Sequence, residues 1–237
     1  MKTSILHAIY DSFEQWSNKL VTVCKKGCTS CCTQNVTITA TEGEEILKYA
    51  VKHGMSSWIA EKLNQSRTCT PLKMTTNDFA KTCLDGKDVA PEARHNMAPC
   101  PFLEDNVCKI YPVRPFGCRF FVSNVQCSTS QPAQMTDAYF EASMAVNQLI
   151  EHLGQKEYWG NMLDVLPALC DISEFKDIAT SLDVSLSRQA RMRTLTAKPL
   201  PGFLLSEQDG PAVTSLLETI FDTRVDNMRI EDILNGK

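Results

Sequence analysis

The chain has no apolar run long enough for a membrane: nothing in it approaches the ~18 consecutive apolar residues of a spanning helix. It has no visible secretory leader either. Such a leader needs a basic start and an unbroken apolar stretch of about 7–15 residues, and MKTSILHAIYDSFEQW is interrupted by His7, Asp11 and Glu14. Charge of one sign is scarce, with Lys+Arg at 24 against Asp+Glu at 28 and a formal net charge of -4. Without a long basic run there is no Lys/Arg surface of the kind that displaces nucleic-acid counterions. Neither a membrane nor a nucleic-acid partner is expected. A glycine-rich nucleotide loop after a strand, an H-E-x-x-H helix, a P-loop and a nucleophile elbow are also missing. So are internal repeats and a low-complexity tail. These absences leave a cytoplasmic globular protein as the expectation.

Cysteine is what the chain has in excess, 11 in 237 residues. A chain of this size buries most of its apolar surface and does not need disulfides to compensate for a small core. The cytosol keeps most thiols reduced, and an odd count rules out a complete internal disulfide framework. Eight of the cysteines fall into two arms. Cys24, Cys28, Cys31 and Cys32 lie within CKKGCTSCC; Cys100, Cys108, Cys118 and Cys127 follow about seventy residues later. Cys69, Cys83 and Cys170 lie outside the arms and read as small buried hydrophobes.

The periodicity predicts a mainly α fold with a small irregular cysteine-rich part. Ile5, Ile9, Phe13, Trp16 and Leu20 share one face of an N-terminal helix. NVTITA reads as a short strand, and TEGEEILKYA as a helix start with capping-box spacing between Thr41 and Glu44. SSWIAEKLNQ and TTNDFAKTCLDG read as short helices. CPFLEDNVCKIYPVRPFGCRFF reads as a hairpin turning at Glu104–Asp105–Asn106, then a loop held by Pro112 and Pro115. DAYFEASMAVNQLIEHLG is helical, with Phe140, Met144, Ile150 and Leu153 as its apolar positions. YWGNMLDVLPALC continues as helix to about Pro167; DISEFKDIATSL and GPAVTSLLETIFDTRV are further helices, joined by the extended TAKPLPGFLLSEQD. Two parts are expected: a cysteine-cluster domain over 1–135 and a helical C-terminal extension over 136–237 packed on it, offering a surface to a protein partner.

Gathered thiolates repel one another, and a soft or borderline metal offsets that repulsion. Four thiolates around Zn²⁺, or around an oxidised [4Fe–4S] core, leave a net charge of -2, which Lys25, Lys26, Lys109, Arg114 and Arg119 help to balance. Arg114 and Arg119 flank Cys118 as candidate donors to sulfur. Structural zinc takes C-x₂₋₄-C pairs. The first arm is denser, C-x₃-C-x₂-C with Cys32 adjoining, and such density suits the corner of an iron–sulfur cluster. Adjacent cysteines point in different directions, so Cys31 and Cys32 serve either different metals or one wide site. The same spacing occurs in radical S-adenosylmethionine enzymes, but the βα repeats of their barrel are lacking here.

CKKGCTSCC, NVTITATEGEEI, CPFLEDNVCKIYPVRPFGCRFF and Cys127 together resemble the YkgJ-like cysteine-cluster family, described as zinc- or iron-chelating, over roughly residues 20–130. The resemblance implies that Cys24, Cys28, Cys31, Cys32, Cys100, Cys108, Cys118 and Cys127 are the metal positions, holding an iron–sulfur cluster or zinc. The chain departs from compact members in the three-residue gap between Cys24 and Cys28 and in its long helical extension. Flagellin lysine methylases look similar around the cysteines, which gives the enzyme alternative a form: metal-supported protein modification. A third reading is a reversible thiol switch.

Metal binding is expected to order residues 20–35 and 96–130, which show little periodic core. Tyr111, Phe116, Phe120 and Phe121 are expected to shield the metal. His95 reads as solvent-facing or hydrogen-bonded before it reads as a ligand, and RQARMRT as a solvated helix face.

Overall fold

The computed structural model describes residues 1–66, 70–90, 98–128 and 130–237, and is mainly helical. In chain order its elements are α1 (Lys2–Ser17), β1 (Thr37–Thr39), α2 (Ala40–Lys52), α3 (Ser56–Gln65) and α4 (Thr76–Leu84), then the hairpin β2 (Leu103–Glu104) and β3 (Val107–Cys108), and α5 (Phe116–Arg119). They continue with α6 (Asp137–Leu153), β4 (Tyr158–Asn161), α7 (Met162–Leu169), α8 (Lys176–Ala179), α9 (Val184–Arg193), β5 (Leu195–Thr196) and α10 (Gly210–Asp222). The hairpin β6 (Arg224–Val225) and β7 (Met228–Arg229) and then α11 (Ile230–Leu234) close the chain. No described helix is long and apolar enough to cross a membrane.

Two apolar clusters hold these elements. The first lies between α1, α6, α10 and α11, around Ile9, Phe13, Val146, Leu149, Leu216 and Ile220. The second lies between α2, α3, α7 and α8, around Ile46, Leu47, Ile59, Val165, Leu166 and Ile178. Helices after residue 136 therefore contribute to both clusters, beside helices that precede it. A three-stranded antiparallel sheet ordered β1–β4–β5 adjoins the second cluster through Ile38 and Tyr158, with Ile38 opposite Gly160 and Trp159 opposite Leu195.

Four local expectations are corrected. Helix α1 ends at Ser17, and Leu20, beyond it, is 37% exposed. The capping box sits two residues earlier than its sequence spacing suggested: Thr39 and Glu42 satisfy each other's backbone N–H groups. YWGN is strand, because β1 and β5 flank it on both edges and take up its backbone groups. In α6 the buried face carries Tyr139, Ala142, Ala145, Val146 and Leu149, while Phe140 is 51% exposed. Ile150 and Leu153 are buried in the first cluster as expected, while the small Ala142 and Ala145 let α1 and α10 approach closely on a face that Phe140 does not share.

RQARMRT is solvated at Arg188, Gln189, Arg191 and Met192, as expected, but Arg193 turns inward. Arg193 donates to Asp164 Oδ1 on α7 at 2.8 Å, both side chains largely buried, and Arg191 pairs with Asp171. Of the remaining histidines, His7 Nε2 lies 3.3 Å from Glu45, and His152 bridges Leu234 O and Leu200 N. Cys170 is buried and donates to Leu166 O, as a structural cysteine does. Cys69 and His95 lie outside the described residues.

Candidate metal centre

Both arms are short turns fastened to one another by backbone. In the first, Cys28 N–H donates to Lys25 O at 2.9 Å and Cys32 N–H to Thr29 O at 3.0 Å. The end of that arm then runs antiparallel to the start of the second. Cys100 N–H donates to Cys32 O at 2.9 Å and Gln34 N–H to Ala98 O at 3.1 Å, with Thr33 bridging Pro99.

The second arm is a tight hairpin whose Leu103 pairs with Cys108. Its two-residue turn, Asp105–Asn106, takes positive φ at both positions, the mirror-type turn that matches strand twist. Glu104 fastens the hairpin to α3 by accepting from Trp58 Nε1 at 2.6 Å, with Lys62 and Lys109 paired to it. A turn of 3₁₀ helix, Tyr111–Val113, leads into α5, which carries Cys118.

The arm was expected to lack a core of its own, but Phe102 and Ile110 are buried in the second cluster and Phe116 in the first. Each is a lone residue at a turn, so no period announces it. Phe116 N–H is held by Glu42, whose Oε1 also accepts from Tyr10 Oη at 2.7 Å; the distance to Phe116 N is 2.8 Å. Glu42 is the residue sequence reasoning missed. Its only signal was the T-x-x-E spacing from Thr39, which reads as a helix cap.

The last cysteine lies on the loop after α5. Val23 N–H donates to Ser123 O at 2.9 Å, and Ser123 N–H donates to Cys24 Sγ at 3.2 Å. This draws the first arm onto the 121–128 loop. Cys24, Cys28 and Cys127 line one open cleft of about 380 Å³, with Lys25 and Asn106 among its other walls.

Burial and neighbouring charges set the proton affinities of the thiols. Burial raises Cys24, opposed by the Ser123 N–H and reinforced by the charges of Cys28, Cys31 and Cys127. Burial pushes Cys100 up to about 11, and raises Cys108 and Cys118, the last also by the charges of Cys100 and Cys108. Cys31 hydrogen-bonds Cys32, which raises Cys31 and lowers Cys32; the charges of Cys100, Cys118 and Cys108 oppose the lowering. Cys24, Cys28 and Cys127 line one cleft, Cys32 is joined by backbone to Cys100 and through Leu103 to Cys108, and Cys31 lies against Cys32. The described cysteines are free thiols. Among the described residues, no three Cys, His, Asp or Glu side chains are closed tightly enough to hold a metal ion.

The two arginines differ. Arg119 spends its guanidinium on Arg114 O and Pro112 O and lies over the Tyr10 ring. Arg114 stacks on Tyr111 at 3.6 Å, its buried Nε has no partner, and its charge favours the thiolate forms of Cys31, Cys108 and Cys118. A buried, unpartnered Nε on a guanidinium whose charge favours three thiolates fits a site whose sulfurs become anionic when metal replaces their protons. Eight soft donors fit the same chemistry. The aromatic shield is thinner than expected: Phe116 belongs to the core and Phe121 is 42% exposed.

Fold and thiols together define a helical protein built around a cysteine cluster. Residues 23–142, just over half the chain, match the model of the CxxCxxCC family, described as a "Putative zinc- or iron-chelating domain", and the chain belongs to that family. Metal binding is the property this membership brings. No curated protein and no solved structure matches the chain.

Proposed function

We propose that the chain binds an iron–sulfur cluster through Cys24, Cys28, Cys31, Cys32, Cys100, Cys108, Cys118 and Cys127, and serves electron transfer, metal handling or structural support in the cytoplasm. The observation that carries this reading is the antiparallel fastening of Cys32 to Cys100, which places a dense first arm against the second. Three cysteines within eight residues suit a cluster corner better than the paired spacing of structural zinc. The orphaned Arg114 Nε supports it, since hydrogen bonds to sulfur tune cluster potential.

The test is anaerobic purification followed by a visible spectrum and elemental analysis for iron, sulfide and zinc. A brown protein with iron and sulfide in equal amounts is expected. A colourless protein with stoichiometric zinc overturns the cluster and leaves zinc as the metal.

The alternative is a metal-dependent protein-modifying enzyme resembling the flagellin lysine methylases. One observation favours it, a cleft of about 240 Å³ beside the first arm, walled by Tyr10, Phe13, Tyr139, Arg114 and Arg119. Equilibrium binding of S-adenosylmethionine to the metal-loaded chain tests it, and no binding removes it.

A further inference from the structure

The cleft of about 240 Å³ beside the first arm has no described cysteine among its walls. Its charge comes from the second arm: Arg114 and Arg119, five residues apart, both line it. Among the described residues, Arg191, Arg193 and Arg229 pair with carboxylates, and these two arginines do not. Glu14 is the one acidic residue in the walls, and it pairs with neither guanidinium. Two cations lining one cleft repel each other, and an anion placed between them turns that repulsion into attraction.

Both guanidinia are held in place before any ligand arrives. Arg119 donates from Nε to Arg114 O at 2.7 Å and from Nη2 to Pro112 O at 3.1 Å, and lies 4.8 Å over the Tyr10 ring. Its Nη1 donates to no described residue. Arg114 is stacked on Tyr111 and keeps its buried Nε unpartnered. An ordinary surface arginine gives up rotamer freedom when it binds an anion, whereas these gave it up on folding. Much of the remaining wall is apolar or aromatic, with Phe13, Phe116, Val122 and Tyr139. Such walls exclude water from a charge pair and pack against a planar body, so a small hydrated inorganic anion gains little from them. The volume falls just below the ~300 Å³ at which pockets for drug-sized ligands begin, which sets the body at about one ring.

We propose that this cleft binds a small organic carboxylate, with its anionic group on Arg119 and Arg114 and its apolar body against Phe13, Phe116 and Tyr139. The planar carboxylate matches the guanidinium fork. Its single negative charge balances the one positive charge left when Glu14 is set against the two arginines. The inference stands apart from the chelation reading and from the enzyme alternative, because it needs neither a metal nor a reaction.

Calorimetric titration of the reduced full chain with benzoate tests it. Saturable binding at one equivalent is expected. Benzamide, of the same shape without the charge, is expected to bind about tenfold more weakly or worse. Leu20 lines the cleft from an exposed position, so its substitution leaves the fold intact. Leu20→Glu is expected to weaken benzoate binding severalfold and Leu20→Lys to tighten it, with benzamide unmoved by either. Arg119→Gln is expected to abolish saturable binding; if that variant does not fold, the two Leu20 variants decide alone. Absence of saturable benzoate binding, or equal affinity for benzamide, overturns the site. So do Leu20 variants that both bind benzoate as the parent chain does, because the anion then sits elsewhere. Inorganic phosphate bound as tightly as benzoate overturns the part assigned to the apolar walls.

Discussion

The first cysteine arm has no apolar anchor. Leu20, Val21 and Val23 stand 37, 86 and 41% exposed, and its order comes from turns and a few backbone hydrogen bonds. The second arm, of similar irregularity, buries Phe102, Ile110 and Phe116 to 2% or less, in two different clusters. The same donor atoms are therefore mounted on unlike supports. A metal ligated by both arms meets one partner already in place and another that must be ordered on binding, and that ordering is drawn from the binding free energy.

The contrast is broken most forcefully at Phe116. Its ring packs edge-on to Phe13 at 4.9 Å between centroids and stacks near Tyr10. Phe116→Ala is expected to cost about 3–5 kcal/mol, lost transfer free energy plus cavity. Leu20→Ala, on the first arm, is expected to change stability by no more than about 0.5 kcal/mol. Denaturant unfolding of the metal-free chain measures both, and equal losses would erase the difference between the arms.

Glu42 comes next. Its Oε1 accepts from Tyr10 Oη and Phe116 N–H, and its Oε2 from Thr39 N–H and Oγ1, so all its acceptor capacity is committed inside the protein. Glu42→Gln keeps the shape but turns one oxygen into a donor facing two donors. A loss of about 2 kcal/mol is expected in the same unfolding experiment. Tyr10 offers a second readout: burial, then the Glu42 charge, holds its phenol well above the usual value. The variant should titrate Tyr10 at lower pH, because the carboxylate that disfavours the phenolate is gone. An unchanged tyrosine titration would remove Glu42 from that position.

What the sequence discloses follows from how local its causes are. Helix α3 runs over Ser56–Gln65 as its periodicity says, and the hairpin turns where Asp105 and Asn106 permit positive φ, because both are decided within a few residues. The buried side of α6 is decided by the helices that pack on it, so Phe140 and Met144 mislead. The eight cysteines are legible by count and spacing alone. The contacts that position them are not, since they depend on Ser123 N–H donating to Cys24 Sγ and on Cys100 N–H donating to Cys32 O, which span up to about a hundred residues of chain. Glu42 is hidden for the same reason: its role as a cap is local, and its role as the clamp on Phe116 is not.

The finest test of the contrast uses one glycine. Gly27 holds φ +89° at the third position of the Lys25–Cys28 turn, where a left-handed backbone is required. A Cβ there meets nothing within 4 Å, so Gly27→Ala carries only the backbone penalty, about 1 kcal/mol. Because this arm contributes little core, the penalty should leave unfolding of the metal-free chain within about 0.5 kcal/mol of its starting value. It should appear in ordering the arm around metal, as roughly fivefold weaker metal binding by the chain. Competition with a chelator of known affinity measures it. An unchanged affinity would mean that the first arm is as firmly ordered before metal as the second, and would erase the difference in support between them.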